Sequence, residues 1–314
     1  MGADGGTLLA VDPTTIQLWV LRVGWVLVAL VAGTALRSTF DPLDSSTRLV
    51  FEVALWVGWF VGAVSLLAPH PISLTIIRVL SPTVAGVGLL SGLFIEWGTG
   101  ALIVFGVGVI VTIVSLLPAI GDVMVNGSAY GSERRMALRP PAVVLIGPVP
   151  VGWLLIFLGL TVWAPLLAAD RPLVAAAAAA GGAVPVWLGG RLLHQLARRW
   201  IVFVPAGFVI HDPFQLAEPV LLARARISRL GPAEVSDAAT GETNPSVDLD
   251  LSAGSTGLAL EVETIEPTSF GVRRNRAVEV TNSTRVVFSP TLPGALLSEA
   301  RVRGIKIKGS SGPG

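Results

Sequence analysis

The chain has 314 residues, of which 52% are hydrophobic and only 14% charged, and its mean hydropathy is +0.73. Soluble chains carry roughly a quarter charged residues, so this composition is that of a multi-pass membrane protein. A net charge of +1 points to no nucleic acid partner, and the lack of cysteine excludes disulfides, thiolate metal sites, iron–sulfur clusters and a cysteine nucleophile.

Met1 to Thr14 carries Asp4 and Asp12 but no Lys or Arg, so residues 1–14 read as an N-terminal tail and not as a cleavable signal. Residues 15–196 then read as a transmembrane domain, because a spanning helix needs about 20 mostly apolar residues. Six segments qualify: Thr15 to Leu36, Thr47 to Ala68, Ile72 to Phe94, Thr99 to Leu117, Ala142 to Pro165 and Leu173 to Leu196. Gly147-Pro148-Val149-Pro150 is expected to break or kink the fifth, and Pro185 to bend the sixth. Gly58-xxx-Gly62 and Gly88-xxx-Gly92 mark close helix packing.

Short loops on the cytoplasmic side keep the excess of Lys and Arg. The loop Gly121 to Pro141 holds Arg134, Arg135 and Arg139, and the exit from the sixth helix holds Arg191, Arg198 and Arg199. Both therefore face the cytoplasm, which places the N- and C-termini there. The loop arginines either mark this topology or grip lipid phosphates or the C-terminal domain. Three charges fall inside spans. Arg22 and Arg78 lie toward the cytoplasmic side, where they can snorkel, and Glu52 stands four residues after Arg48, the spacing of an ion pair on a helix. Trp97 and Trp163 fall near the outer interface and Trp200 near the inner one.

After Arg199 the period becomes that of strands. Trp200 to Val204 and Phe208 to Asp212 flank Pro205-Ala206-Gly207, a hairpin signal. Val220 to Ala223 and Ile227 to Leu230 follow. Val247, Leu249 and Leu251 then alternate with acids, as do Leu258, Leu260 and Val262 with their neighbours, and the two runs are expected to pair as a hairpin. A basic loop, Pro267 to Arg276, carries Arg273, Arg274 and Arg276. Strands near Val278 to Thr281 and Arg285 to Phe288 precede a helix, Gly294 to Val302, with proline in its first turn.

About seven short strands closed by one helix over residues 197–305, with a flexible tail at 306–314, resemble the bacterial pleckstrin-homology-like (PH-like) domain. The residues that carry the likeness are Trp200 to Asp212 and Val286-Val287-Phe288-Ser289-Pro290. The whole chain also resembles actinobacterial multi-pass membrane proteins in which a Tyr-Gly-x-Glu-Arg-Arg loop, here Tyr130 to Arg135, precedes such a domain. The fold class is thus a membrane α-helical domain of about six transmembrane helices plus a C-terminal β-rich PH-like domain closed by a short helix. The resemblance implies a binding or oligomerising module with no catalytic residues.

His70, His194 and His211 share no metal-ligand spacing, and no phosphate-binding glycine motif is present. No catalytic, cofactor-binding or metal residues are therefore assigned, and no cofactor is expected. The expected partners are the lipid bilayer, anionic lipid headgroups, and protein partners or further copies of the chain. The residues expected to reach lipid or partner are Arg134, Arg135, Arg139, Arg198, Arg199, Arg273, Arg274 and Arg276. The leading reading is a non-enzymatic scaffold or regulator, and the alternative is a small-solute transporter or channel that uses the interrupted fifth and sixth helices.

Overall fold

The computed structural model describes residues 13–35, 40–41, 43–94, 98–233, 248–274 and 277–308. Most of the N-terminal tail, Trp97, Val247, Arg276 and the tail from Gly309 lie outside these residues.

Among the described residues six helical segments are long and apolar enough to cross a membrane, the number read from the sequence. They are α1 (Pro13–Ala35), α2 (Ser45–Leu67), α3 (Pro71–Phe94), α4 (Thr99–Leu116), a fifth in three pieces, and a sixth. A short helix, α5 (Pro118–Asn126), follows α4. The pieces of the fifth span are α6 (Ala142–Ile146), α7 (Pro148–Thr161) and α8 (Trp163–Ala168), and the sixth span is α9 (Pro172–Ala197). Pro71, Pro118, Pro148 and Pro172 each open a helix, where a missing N–H leaves nothing unpaired. Asp44 caps α2 by accepting from the Ser46 and Thr47 amides at 2.9 and 3.1 Å. The expected break in the fifth span falls on Gly147, whose φ of −99° and ψ of −83° are not helical because proline follows it. By contrast, α9 runs through Pro185 as one helix.

Small residues let these helices touch backbone to backbone. A Cβ on Gly88 would lie 2.4 Å from the Phe105 nitrogen of α4, and one on Gly182 would lie 2.4 Å from the Gly159 carbonyl of α7. Gly62 instead receives an indole, because Trp25 and Trp59 donate each to the other's backbone carbonyl at 2.9 Å and so tie α1 to α2. Gly58 has nothing near it. A Cβ at Gly62 would sit 2.1 Å from the Trp25 ring. Gly62→Ala is therefore expected to expel that ring and to destabilise the bundle by about 1–3 kcal/mol, read as a lower thermal midpoint in detergent with red-shifted tryptophan emission.

Among the described residues the β domain forms two four-stranded sheets. The first has the order β1 (Arg134–Ala137), β2 (Trp200–Val204), β3 (Gly207–His211) and β4 (Val220–Ala223), all antiparallel. A turn of 3-10 helix, Arg224–Arg226, leads to the second, which contains β5 (Ile227–Pro232), β6 (Asp248–Asp250), β7 (Leu260–Arg274) and β8 (Ala277–Phe288) in the order β5-β7-β8-β6. One core fills the space between the sheets. Ile201, Phe203, Phe208 and Ile210 meet Leu260, Val262, Val286 and Phe288, and α10 (Pro293–Val302) closes it with Leu296 and Ala300. Gly207 is required in the β2–β3 turn. Its φ is +154°, and any Cβ would lie 2.1 Å from the Leu222 carbonyl.

Three expectations are corrected. The acid-alternating segment at Leu249 does not form a hairpin with β7, since β6 runs parallel to β8, with Leu249 opposite Val286. The basic loop from Pro267 is strand instead, because β7 continues to Arg274, which pairs with Ala277 of an equally unbroken β8. Pro267 is tolerated there because it falls in a bulge between Glu263 and Thr268, where no ladder bond is lost. Finally, β1 belongs to the connection between the fourth and fifth spans, so the β domain is wider than residues 197–305.

Candidate binding surface and its joint to the bundle

The connection from α4 to α6 is woven into the β domain. β1 lies along β2 with Arg134 opposite Phe203, Met136 opposite Ile201 and Ala137 opposite Trp200. Beyond the strand, the Leu138 amide donates to the Arg199 carbonyl at 3.0 Å and the Arg139 amide to the Ser289 carbonyl at 2.8 Å. On the bundle side, the buried Asp122 of α5 accepts from Arg134 Nη2 at 3.0 Å and from the Ala137 amide at 3.3 Å. The Asn126 side chain accepts from the Arg135 amide at 3.0 Å. One strand thus bonds to α5 and to the sheet together.

Burial pushes the Asp122 carboxyl up, and the Arg134 charge and the Ala137 amide only partly oppose it. A carboxyl raised in the fold stabilises it fully below its unfolded pKa of about 4, and that contribution disappears as pH rises through the folded value. Asp122→Asn has no such loss. Its stability relative to the native chain is expected to grow as pH rises from about 4, measured by thermal unfolding at a series of pH values.

Arg199 stands at the centre of the joint. Its side chain is 1% exposed and that of Asp212 is fully buried. Nε donates to Asp212 Oδ1 at 2.9 Å and Nη2 to Oδ2 at 2.6 Å, a bidentate pair, while Nη1 donates to the Arg139 carbonyl. Asp212 Oδ1 also accepts the Phe214 amide at 3.1 Å. Beside this pair the Trp200 ring lies flat on His211, with 4.7 Å between centroids and 11° between planes, and the Arg135 guanidinium lies 5.5 Å from the indole centroid. His211 Nδ1 donates to the Arg198 carbonyl at 2.7 Å, and burial holds the imidazole pKa below its usual range.

The arginines singled out from the sequence therefore divide. Arg199 is inside the protein and reaches no headgroup, which corrects its expected role. Arg134 is committed to Asp122, Arg135 to Ser128 Oγ at 2.7 Å, and Arg139 to the Thr256 carbonyl at 2.7 Å. The loop arginines thus bond to α5, to their own connection and to the β domain. Arg198, Arg273 and Arg274 are exposed, and Arg276 lies outside the described residues. Arg273 Nε donates to the Leu216 carbonyl at 3.1 Å, and Arg274 lies 3.7 Å from Glu279.

Within the spans, Arg22 donates to the Leu66 carbonyl at 3.1 and 3.2 Å and Arg78 to the Ser115 carbonyl at 3.3 Å. Each cation thus caps the C-terminal turn of a neighbouring helix, where the backbone dipole is negative. Glu52 pairs with Arg48 at 3.6 Å, as its spacing predicts.

Among the described residues no group of three His, Asp or Glu side chains could hold a metal ion. No protein-family model, curated protein or solved structure matches the chain. Fold and joint together define a multi-pass membrane protein of six spans in which a two-sheet β domain is built partly from a connection between spans.

Proposed function

We propose that the chain is a non-enzymatic protein of the bacterial cell membrane, with both termini cytoplasmic, whose PH-like β domain binds partner proteins or lipid headgroups as a scaffold or regulator. The observation that carries this reading is the double attachment of the β domain. It is entered from α9 and crossed by β1, so it is presented at a fixed place beside the bilayer instead of on a tether. Two sheets closed by α10 support the PH-like reading, with β1 as an addition that the resemblance does not supply. The sidedness is supported by charge, since the stretches at the β-domain end hold Arg134, Arg135, Arg139, Arg191, Arg198 and Arg199 while those at the other end hold three, Arg37, Arg48 and Arg171. A cleft of about 640 Å3 in the β domain is lined by Arg224, Ser228, Ile265 and Lys306 among others.

Small-solute transport is the competing reading, favoured by the break at Gly147. Full-length protein in nanodiscs tests the two. Hydrogen exchange of the β domain is expected to slow in anionic lipid, or on adding solubilised membrane proteins, relative to neutral lipid alone. Unchanged exchange in every case, together with solute flux in proteoliposomes, would favour transport.

A further inference from the structure

Val278 and Val280 are two residues apart in β8 and so project from one face of it. They are 54% and 74% exposed. Their cross-strand partners are Arg273 and Gly271, and the glycine has no side chain with which to cover Val280. Arg273 shares their face, while Arg274, opposite Ala277, projects from the other face with Glu279, and its 3.7 Å approach to that carboxylate is an exposed pair that binds it weakly. Two bare β-branched side chains with one cation on their own face and a second on the opposite face of the same ribbon fit the boundary between lipid headgroups and acyl chains.

The fold brings this surface toward that boundary. The Arg273 amide donates to the Gln215 carbonyl at 2.7 Å and the Ala217 amide to the Gly271 carbonyl at 2.8 Å. The Gln215 amide in turn donates to the Asp212 carbonyl at 3.2 Å, and Asp212 is paired with Arg199 just beyond the last residue of α9. The outer half of the hairpin is therefore bonded to the segment that leaves the joint, at the end of the bundle where headgroups lie.

We propose that this half of the β7–β8 hairpin docks into the leaflet the bundle already spans, with Arg273 and Arg274 on the phosphates of anionic lipids and Val278 and Val280 just below them. The proposal rests on the docking reading above and names its lipid site.

The chain has no cysteine, so Val280→Cys in the full-length protein gives one labelling position. An environment-sensitive dye there is expected to be quenched by spin-labelled lipid in nanodiscs of phosphatidylcholine with phosphatidylglycerol, and not in phosphatidylcholine alone. A dye at Leu221→Cys, an exposed position on β4, is expected to stay unquenched. Arg273→Gln with Arg274→Gln is expected to remove most of the quenching, since each basic residue near an anionic surface contributes a factor of about five in affinity, roughly thirty-fold together. An unquenched dye in both lipids would overturn the proposal, as would quenching indifferent to phosphatidylglycerol and to the arginines. A disulfide-linked dimer of unlabelled Val280→Cys in both lipids would also overturn it by assigning the face to a second copy. If the dye stays in water while β-domain exchange still responds to lipid or partner, only the hairpin assignment falls. If exchange is also unresponsive, the docking reading falls with it.

Discussion

Arg199→Ala is expected to destabilise the β domain by about 3–5 kcal/mol, the usual loss when one member of a buried ion pair is removed. A folded domain is stable by only about 5–15 kcal/mol, so a large share of that margin is at stake. The size follows from what alanine leaves behind. Asp212 remains fully buried with the Phe214 amide as its donor, and the Arg139 carbonyl loses the guanidinium. Arg199→Lys keeps the charge but not the fork, and should fall between native and alanine. Replacing both partners, Arg199→Met with Asp212→Leu, should cost less than the single change, because no unpaired charge is left inside. Limited proteolysis and hydrogen exchange of the β domain in nanodiscs would read the loss. A surface role predicts the opposite pattern, with native stability in Arg199→Ala and weaker interaction with anionic lipid.

That pair also shows where the sequence was legible. Length and hydropathy reveal the spans because lipid forces each backbone bond to close within a helix, and the proline and glycine signals place the break at Gly147. The Pro205-Ala206-Gly207 turn reveals the β2–β3 hairpin, and its register, with Trp200 opposite His211, already sets Arg199 against Asp212 just outside it. The opposite charges at those two positions were the available signal for a buried pair. Other features were hidden for physical reasons. Alternation at Leu249 and Leu251 shows which side chains share a face but not which strand lies alongside, so the pattern points to the neighbour in sequence, while β8 is the strand that pairs with β6. Pro267 reads as a loop until the bulge that contains it is seen. The strand β1 is four residues long, and its only trace was Met136 and Leu138 alternating within a run rich in arginine. Its partner, β2, follows two spans later, a separation over which local pattern carries no information.

The position of β1 leads to the second large effect. A soluble fragment that begins at Arg198 is expected to be incompletely folded, although it contains the other seven strands and α10. It lacks Met136 and Leu138, which are buried in the same core as Phe203 and Phe208, and burial of each such side chain contributes about 1.5–3 kcal/mol. It also leaves the edge of β2 without its partner and exposes a template for aggregation. A synthetic peptide of residues 132–141 supplied in trans is expected to restore a cooperative thermal transition and abolish binding of a hydrophobic dye. The same peptide with Met136→Asp and Leu138→Asp should do neither, because the carboxylates would have to enter an apolar core. A fragment that melts cooperatively alone, with a midpoint indifferent to the peptide, would sink the idea. If the peptide is required, the β domain cannot complete its first sheet until the connection between the fourth and fifth spans has reached it. Since Asp122 and Asn126 of α5 hold that same connection, any shift of α5 must be felt at the edge of β2, and bundle and β domain then fold and move as one unit.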